Sequence, residues 1–201
     1  MSSSFYRTAF LSLFCLMLLA NVSGCRKTSH PPGILVDTEP VQLNLEEHKT
    51  ARLDEFILTK KAEFHVKARV LSRKRYKTGR EATISRYDFA LGWGPMSDSS
   101  VLKDIRIRQR IRFYFWSTRN PPIALRDINL HSNNMHMVTT DRALNREMRR
   151  ARTGDIVEFT GYLVDVRGDR GWRWTTSMNR TDIGAGACEI VYLETFRIVN
   201  R

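Results

Sequence analysis

Asp155–Val166, DIVEFTGYLVDV, is dense in β-branched and aromatic residues and reads as one long extended strand. Gly168-Asp169-Arg170-Gly171 follows with turn chemistry, and Trp172–Met178 reads as the returning arm of a hairpin. Upstream, Thr139 or Thr140 starts a helix through Arg152, with Asp141 in its first turn and Gly154 just past its end. Leu144, Met148 and Ala151 give that helix an apolar stripe, and arginines populate the rest of its surface. Downstream, Glu189–Val199 forms a last strand.

The same period recurs earlier in the chain. In Glu63–Ser72, Phe64, Val66, Ala68 and Val70 alternate with His65, Lys67, Arg69 and Leu71, so one face is core and the other solvated. In Asp88–Ser100, DFALGWGPMSDSS, the residues Gly92, Gly94 and Pro95 stop an initial helical turn from Ser85, and the stretch reads as a tightly bent loop. Trp93 within it is either a plug under the loop or an exposed contact. Ser97 or Asp98 caps a short helix, Ala124–Leu130 is another, and MHMVT (135–139) is a short strand. These elements predict an α+β, β-rich domain: a curved antiparallel sheet or small barrel with two or three short helices.

Ile105–Trp116, IRIRQRIRFYFW, is the most patterned part and reads as a single strand. Ile105, Ile107, Gln109, Ile111, Phe113 and Phe115 fall on one face; Arg106, Arg108, Arg110, Arg112, Tyr114 and Trp116 fall on the other. Like charges spaced two apart repel unless acids on a neighbouring strand or a bound anion offset them. Arginines interleaved with Tyr and Trp suit phosphate contacts combined with stacking. This face is the candidate ligand-binding surface, with packing against acidic strands as the bland alternative.

Ala9–Cys25, AFLSLFCLMLLANVSGC, is an apolar run preceded by Arg7 alone and closed by small residues, the pattern of a secretory signal. A spanning helix needs roughly 20 apolar residues. Val22-Ser23-Gly24-Cys25 resembles the lipobox of bacterial lipoproteins, with Val22 where that family usually has Leu. The resemblance implies acylation of Cys25 and a chain held to the membrane through its N-terminal lipid on the periplasmic face of the envelope. Arg26, where Asp would retain the protein in the inner membrane, favours the outer one. The expected organisation is a signal over 1–24, a tether over 25–46, rich in Pro, Gly and polar residues, and one β-rich domain over 47–201. An ordinary signal cut near the same place is the alternative.

The chain carries a formal net charge of +12, and only Arg7 of these charges leaves with the signal. Such a balance points to an anionic envelope partner or polyanion: head groups of phospholipid or lipopolysaccharide, teichoic or nucleic acid, or acidic peptidoglycan positions. Loss of Cys15 and acylation of Cys25 leave Cys188 alone, so the mature chain can form no internal disulfide.

The segments DFALGWGPMSD, HSNNMHM, GDIVEFTGYLVDV with RWTTS, and GAGACEIVYLE resemble those of a group of uncharacterised proteobacterial envelope proteins. The basic helix leading into GDIVEFTGYLV is similar to the segment entering a strand of an OB-type barrel. That likeness implies ligand binding at a barrel face, by association alone.

One catalytic constellation competes with binding. Cys188 follows the small residues Gly184–Ala187, and with His136 as base and Asn133 or Asn134 orienting the ring it could serve a thiol hydrolase or transferase. The alternative is a buried cysteine opening a strand. His131 and His136 are five apart, a spacing that suits no shared face, so no metal site and no cofactor are expected. A non-enzymatic anchored binding module is the leading reading. Mass spectrometry of membrane fractions is expected to find Cys25 as a lipid-modified N-terminus; a soluble mature form beginning elsewhere overturns this.

Overall fold

A computed structural model describes residues 27–179 and 188–199. The signal segment with Cys25, and the run Gly184–Ala187, lie outside the described residues. Two short strands, β1 (Val41–Asn44) and β2 (Thr50–Leu53), both pair with the long β3 (Phe56–Arg75). Helix α1 (Glu81–Ile84) leads to β4 (Tyr87–Gly92), and α2 (Ser99–Leu102) leads to a separate hairpin of β5 (Arg106–Arg110) and β6 (Phe113–Ser117). Then follow α3 (Leu125–Leu130), β7 (Ser132–Val138), α4 (Arg142–Arg150), β8 (Ile156–Arg167), β9 (Arg173–Trp174) and β10 (Glu189–Ile198).

Five of these strands close a barrel in the order β3-β4-β7-β10-β8, with β8 returning to pair with β3. Numbered along the chain, the barrel order is first, second, third, fifth, fourth and back to first, with helix α4 between third and fourth. This is the topology of an OB-type barrel. The expectation of an antiparallel sheet is corrected at one place: β7 and β10 run parallel, and the other pairings are antiparallel. Among the described residues no helix is long and apolar enough to cross a membrane.

The barrel interior is apolar. Phe64, Val66, Ala68 and Val70 of β3 are 2% exposed or less, meeting Phe89, Met135, Phe159 and Val191 from the other strands. Helix α4 is capped by Asp141, whose carboxylate accepts from the N–H groups of Ala143 and Leu144, and its Met148 plugs one barrel end. Arg73 donates to the carbonyls of Met148 and Arg149 at the negative end of that helix. Trp93 is fully buried in the same core, the plug of the two alternatives.

Three expectations of local structure are corrected. Asp88–Gly92, read as part of a loop, belongs to β4. All six β4 residues are buried, because Tyr87, Phe89 and Leu91 face the barrel while Asp88, Ala90 and Gly92 lie under other structure. A strand covered on both sides shows no polar alternation. The stretch 25–46, read as a tether, is strapped to the barrel from Thr28 onward. The Thr28 N–H donates to the Thr153 carbonyl at 2.9 Å and its hydroxyl to Asp155, and His30 bonds the Gly154 carbonyl. Leu35 and Val36 donate to the Ser97 hydroxyl, and β1 then joins the sheet. The return arm expected over Trp172–Met178 is also shorter, with only Arg173–Trp174 paired to β8.

Gly161 sits where β8 crosses β10 beside a register shift, and a Cβ there would lie 2.1 Å from the Tyr192 carbonyl oxygen. Backbone cannot yield as a side chain does. Gly161→Ala is therefore expected to lower Tm by about 2 to 12 °C, the range that about 1–3 kcal/mol of overpacking produces in a domain of this size. An unchanged thermal transition would refute the tight crossing.

Candidate functional site

The segment Ile105–Trp116 is not one strand but a hairpin. Its two-residue turn, Ile111-Arg112, has φ of 51° and 65°, and Arg110 pairs with Phe113, Arg108 with Phe115 and Arg106 with Ser117. Such turns normally use Asn-Gly, because non-glycine residues resist positive φ and β-branched ones most of all. The sequence therefore carries no turn signal here. Cross-strand partners share a face, so the reversal moves Tyr114 and Trp116 to the inner side and Phe113 and Phe115 to the outer one. The predicted face of Arg106, Arg108, Arg110, Arg112, Tyr114 and Trp116 is corrected accordingly. Its outer members are Arg106, Arg108 and Arg110, accompanied by Phe113 and Phe115, whose rings are 6.4 Å apart. Phe115 is 54% exposed. Arg106, Arg108 and Arg110 have no hydrogen bond or ion pair among the described residues, so no acidic strand neutralises them.

The inner side seals the hairpin onto the outer surface of β4 and β7. Ile107, Tyr114 and Trp116 pack on Leu71, Ala90, Met96 and Ile128. The Tyr114 hydroxyl bonds the Ser132 hydroxyl at 2.8 Å, Trp116 Nε1 donates to Asn129 and Gln109 donates to Asn134 at 2.7 Å. Burial pushes the Tyr114 phenol up to about 12, partly offset by that bond to Ser132. In OB-type barrels the second and third strands form the ligand face. Here the hairpin inserted between β4 and β7 covers the outer surface of those two strands.

Arg112 locks the hairpin tip. Its guanidinium donates to Asp88 at 2.6 Å and to the Ser85 carbonyl at 2.9 Å, 4.0 Å above the Tyr76 ring and 5.6 Å from Trp174. Its backbone N–H donates to the Tyr76 hydroxyl, and its carbonyl accepts from the Asn134 amide. Asp88, with a fully buried side chain, also lies 3.1 Å from His136 Nδ1. The His136 ring packs on Trp174 with centroids 4.8 Å apart. Removing one partner from such a buried pair typically costs about 3–5 kcal/mol, so Arg112 serves as the hairpin's clamp and not as a surface contact. Burial, followed by the Asp88 charge, pushes the Tyr76 phenol up.

The thiol constellation is not assembled. Cys188 Sγ lies 3.6 Å from the Asn134 amide and 3.9 Å from the Arg112 carbonyl, whereas His136 turns to Asp88. Asn133 alternates to the other face of β7 and donates to Glu189 at 2.8 Å. His131 bonds the Asp127 carbonyl, well apart from His136 in the register. Among the described residues no three His, Cys, Asp or Glu side chains converge on a metal position. Burial, set against the Asn134 bond, pushes the Cys188 thiol up to about 11 from 9.0.

In a chain starting at Arg26, Cys188 is the single cysteine. Its alkylation by iodoacetamide at neutral pH should run about a hundredfold below that of a free thiol and keep rising tenfold per pH unit to near 11. Free-thiol rates at pH 7 would restore a nucleophilic role.

No protein-family model, curated protein or solved structure matches this chain at a significant level. What it does is therefore read from its own residues.

Proposed function

We propose that the chain is a lipid-anchored envelope protein, held through Cys25, that acts as a non-enzymatic binding module for an anionic envelope component or polyanion. The observation that carries this reading is the outer face of the hairpin. Three arginines at alternate positions of β5 are exposed and have no ion-pair partner among the described residues, and β6 sets Phe115 and Phe113 opposite two of them. Guanidinium groups supply charge and bidentate hydrogen bonding for phosphates or carboxylates. The exposed rings supply stacking for bases or sugars, worth about 1–3 kcal/mol per base in single-strand binders. The barrel supports this use mechanically: the inner side of the hairpin is packed and hydrogen bonded, so the face is preorganised and loses little freedom on binding. Thiol chemistry gains no comparable support, because burial pushes the Cys188 thiol up to about 11 and its partners are an amide and a carbonyl.

The test is a salt series with a single-stranded oligonucleotide and with heparin as probes. For the parent, affinity should fall steeply with salt as counterions are released. Arg108→Ser with Arg110→Ser should lower the slope of log K against log salt for the oligonucleotide by about 1.4, at about 0.7 per phosphate contact. Phe115→Ala should weaken binding with little change in slope, since stacking releases few ions. Trp116→Ala should instead loosen the hairpin, because its indole is bonded to Asn129 on the inner side. If the double arginine variant binds both probes as the parent does at every salt concentration, the face is not the contact surface.

A further inference from the structure

A second cationic feature lies at the other end of the hairpin. A groove of about 980 Å³ opens between the start of β5, the end of β6, the middle of β3 and the strapped N-terminal segment. Its lining includes Lys27, Arg69, Lys103, Arg106 and Arg119, with Asp104 as the one acid among the lining residues. Arg69 is buried, its guanidinium donating to the Ser97 carbonyl at 2.8 Å and to the Ser99 hydroxyl at 2.9 Å. It forms part of the wall, while Lys27, Lys103, Arg106 and Arg119 are exposed around the rim.

The groove lies against the first residues that the structure describes. Thr28 is bonded to Thr153 and Asp155, and Gly154, at φ 95°, lets the strap press so close that a Cβ there would fall 1.9 Å from the Thr28 carbonyl oxygen. Cys25 is three residues before Thr28, and an extended chain spans at most about 3.6 Å per residue, so it lies within about 11 Å of that anchor point. A free coil of some twenty residues would have allowed about 25 Å and any orientation. The groove is thus lined by Lys27 and Thr28, the described residues that lie nearest to Cys25 in the sequence.

We propose that this groove seats the phosphate of an anionic phospholipid head group, phosphatidylglycerol in kind, so that the barrel stands with this end on the membrane that holds its anchor. The inference rests on the lipid-anchor reading above for its orientation and on the groove's own charge for its ligand. Four rim cations and one acid match an anionic surface, and each Lys or Arg within a Debye length of such a surface raises partition roughly fivefold. The hairpin then runs from Arg106 at the groove rim away from the membrane, which leaves Arg108, Arg110 and the two phenylalanines free for a different anion.

The experiment uses the unacylated chain from Arg26, which contains every strand and helix described above, and sediments it with phosphatidylcholine vesicles with and without phosphatidylglycerol. The parent should bind only vesicles containing phosphatidylglycerol. Lys103→Ser with Arg119→Ser, both exposed positions outside the hairpin face, should lower that partition about 25-fold. The same variant should bind the oligonucleotide within about twofold of the parent, while Arg108→Ser with Arg110→Ser should do the reverse. Equal vesicle binding by the groove variant and the parent overturns the proposal. So does an equal loss in both double variants, which would make attraction a property of net charge, and so does a groove variant defective only toward the oligonucleotide, which would make the groove part of a polymer site. The anchor is judged separately: vesicle binding that depends on the groove, together with an unmodified Cys25, would retain the groove and remove the anchor. An acylated Cys25 with a groove variant that behaves as the parent would do the opposite.

Discussion

The pairing of β3 with β8 is the constraint on which the molecule depends. β3 lies against β8 from Ile57 to Arg69 and then against β4 from Arg69 to Arg75, so one strand serves as both margins of the sheet. It can do so only by coiling, and the register shifts between Lys60 and Ala62 and between Val70 and Ser72 supply the bends. Closure removes the sheet edges and lets phenylalanine, methionine and valine side chains fill the interior. The described interior of the barrel is taken up by side chains, and the binding proposed above is therefore placed on what is attached outside it.

The hairpin is one such attachment, and Arg112 fixes its tip. The turn Ile111-Arg112 adopts a conformation that costs L-residues roughly 1–2 kcal/mol each. It persists because Arg112 meets Asp88, Ser85, Tyr76, Asn134 and Cys188 at once. Those partners come from the β3–β4 connection, from β4 and β7, and from the start of β10. Strain held this way is over-determined by its surroundings, which is the condition for it to survive. Asp88 at the centre is fully buried and would be costly to leave unpaired, so the clamp and the strained turn stabilise one another.

Much of the fold was legible in residues whose two faces differ. Phe64 to Val70, the long strand after Gly154 and the helix following Asp141 all have one polar and one apolar side, so their periods could be read directly. Tyr87–Gly92 could not, since a strand covered on both sides loses its alternation. The hairpin escaped for a different reason. Arg and Ile alternate evenly through Ile111 and Arg112, and nothing in the residue types announces a reversal that is enforced by tertiary contacts. That one turn exchanged Tyr114 and Trp116 for Phe113 and Phe115 on the outer face. The basic character of the candidate site was thus readable while its aromatic half was not. The strap from Thr28 to Val36 was hidden likewise, because Thr28, His30, Gly33, Leu35 and Val36 bond to backbone, carboxylate and hydroxyl groups far along the chain, which local composition does not reveal.

The unpaired arginines also bear on energetics. Alternate residues of a strand stand about 6.8 Å apart on one face, less than the Debye length of about 8 Å at physiological salt. Arg106, Arg108 and Arg110 therefore repel one another in the folded hairpin, and dispersal on unfolding would relieve them. A fold that keeps such a ridge with no ion-pair partner for it among the described residues gives up some stability, which the anion proposed above would restore. Any anion binding the folded ridge more tightly than the unfolded chain must raise the stability of the hairpin by linkage. Added indifferent salt acts in two opposing ways, screening the repulsion while competing with the ligand. The same three charges thus weaken the free hairpin and, on the reading proposed above, would make an anion-bound form the better-folded one, while the clamp at Arg112 and the packed inner side keep the face presented.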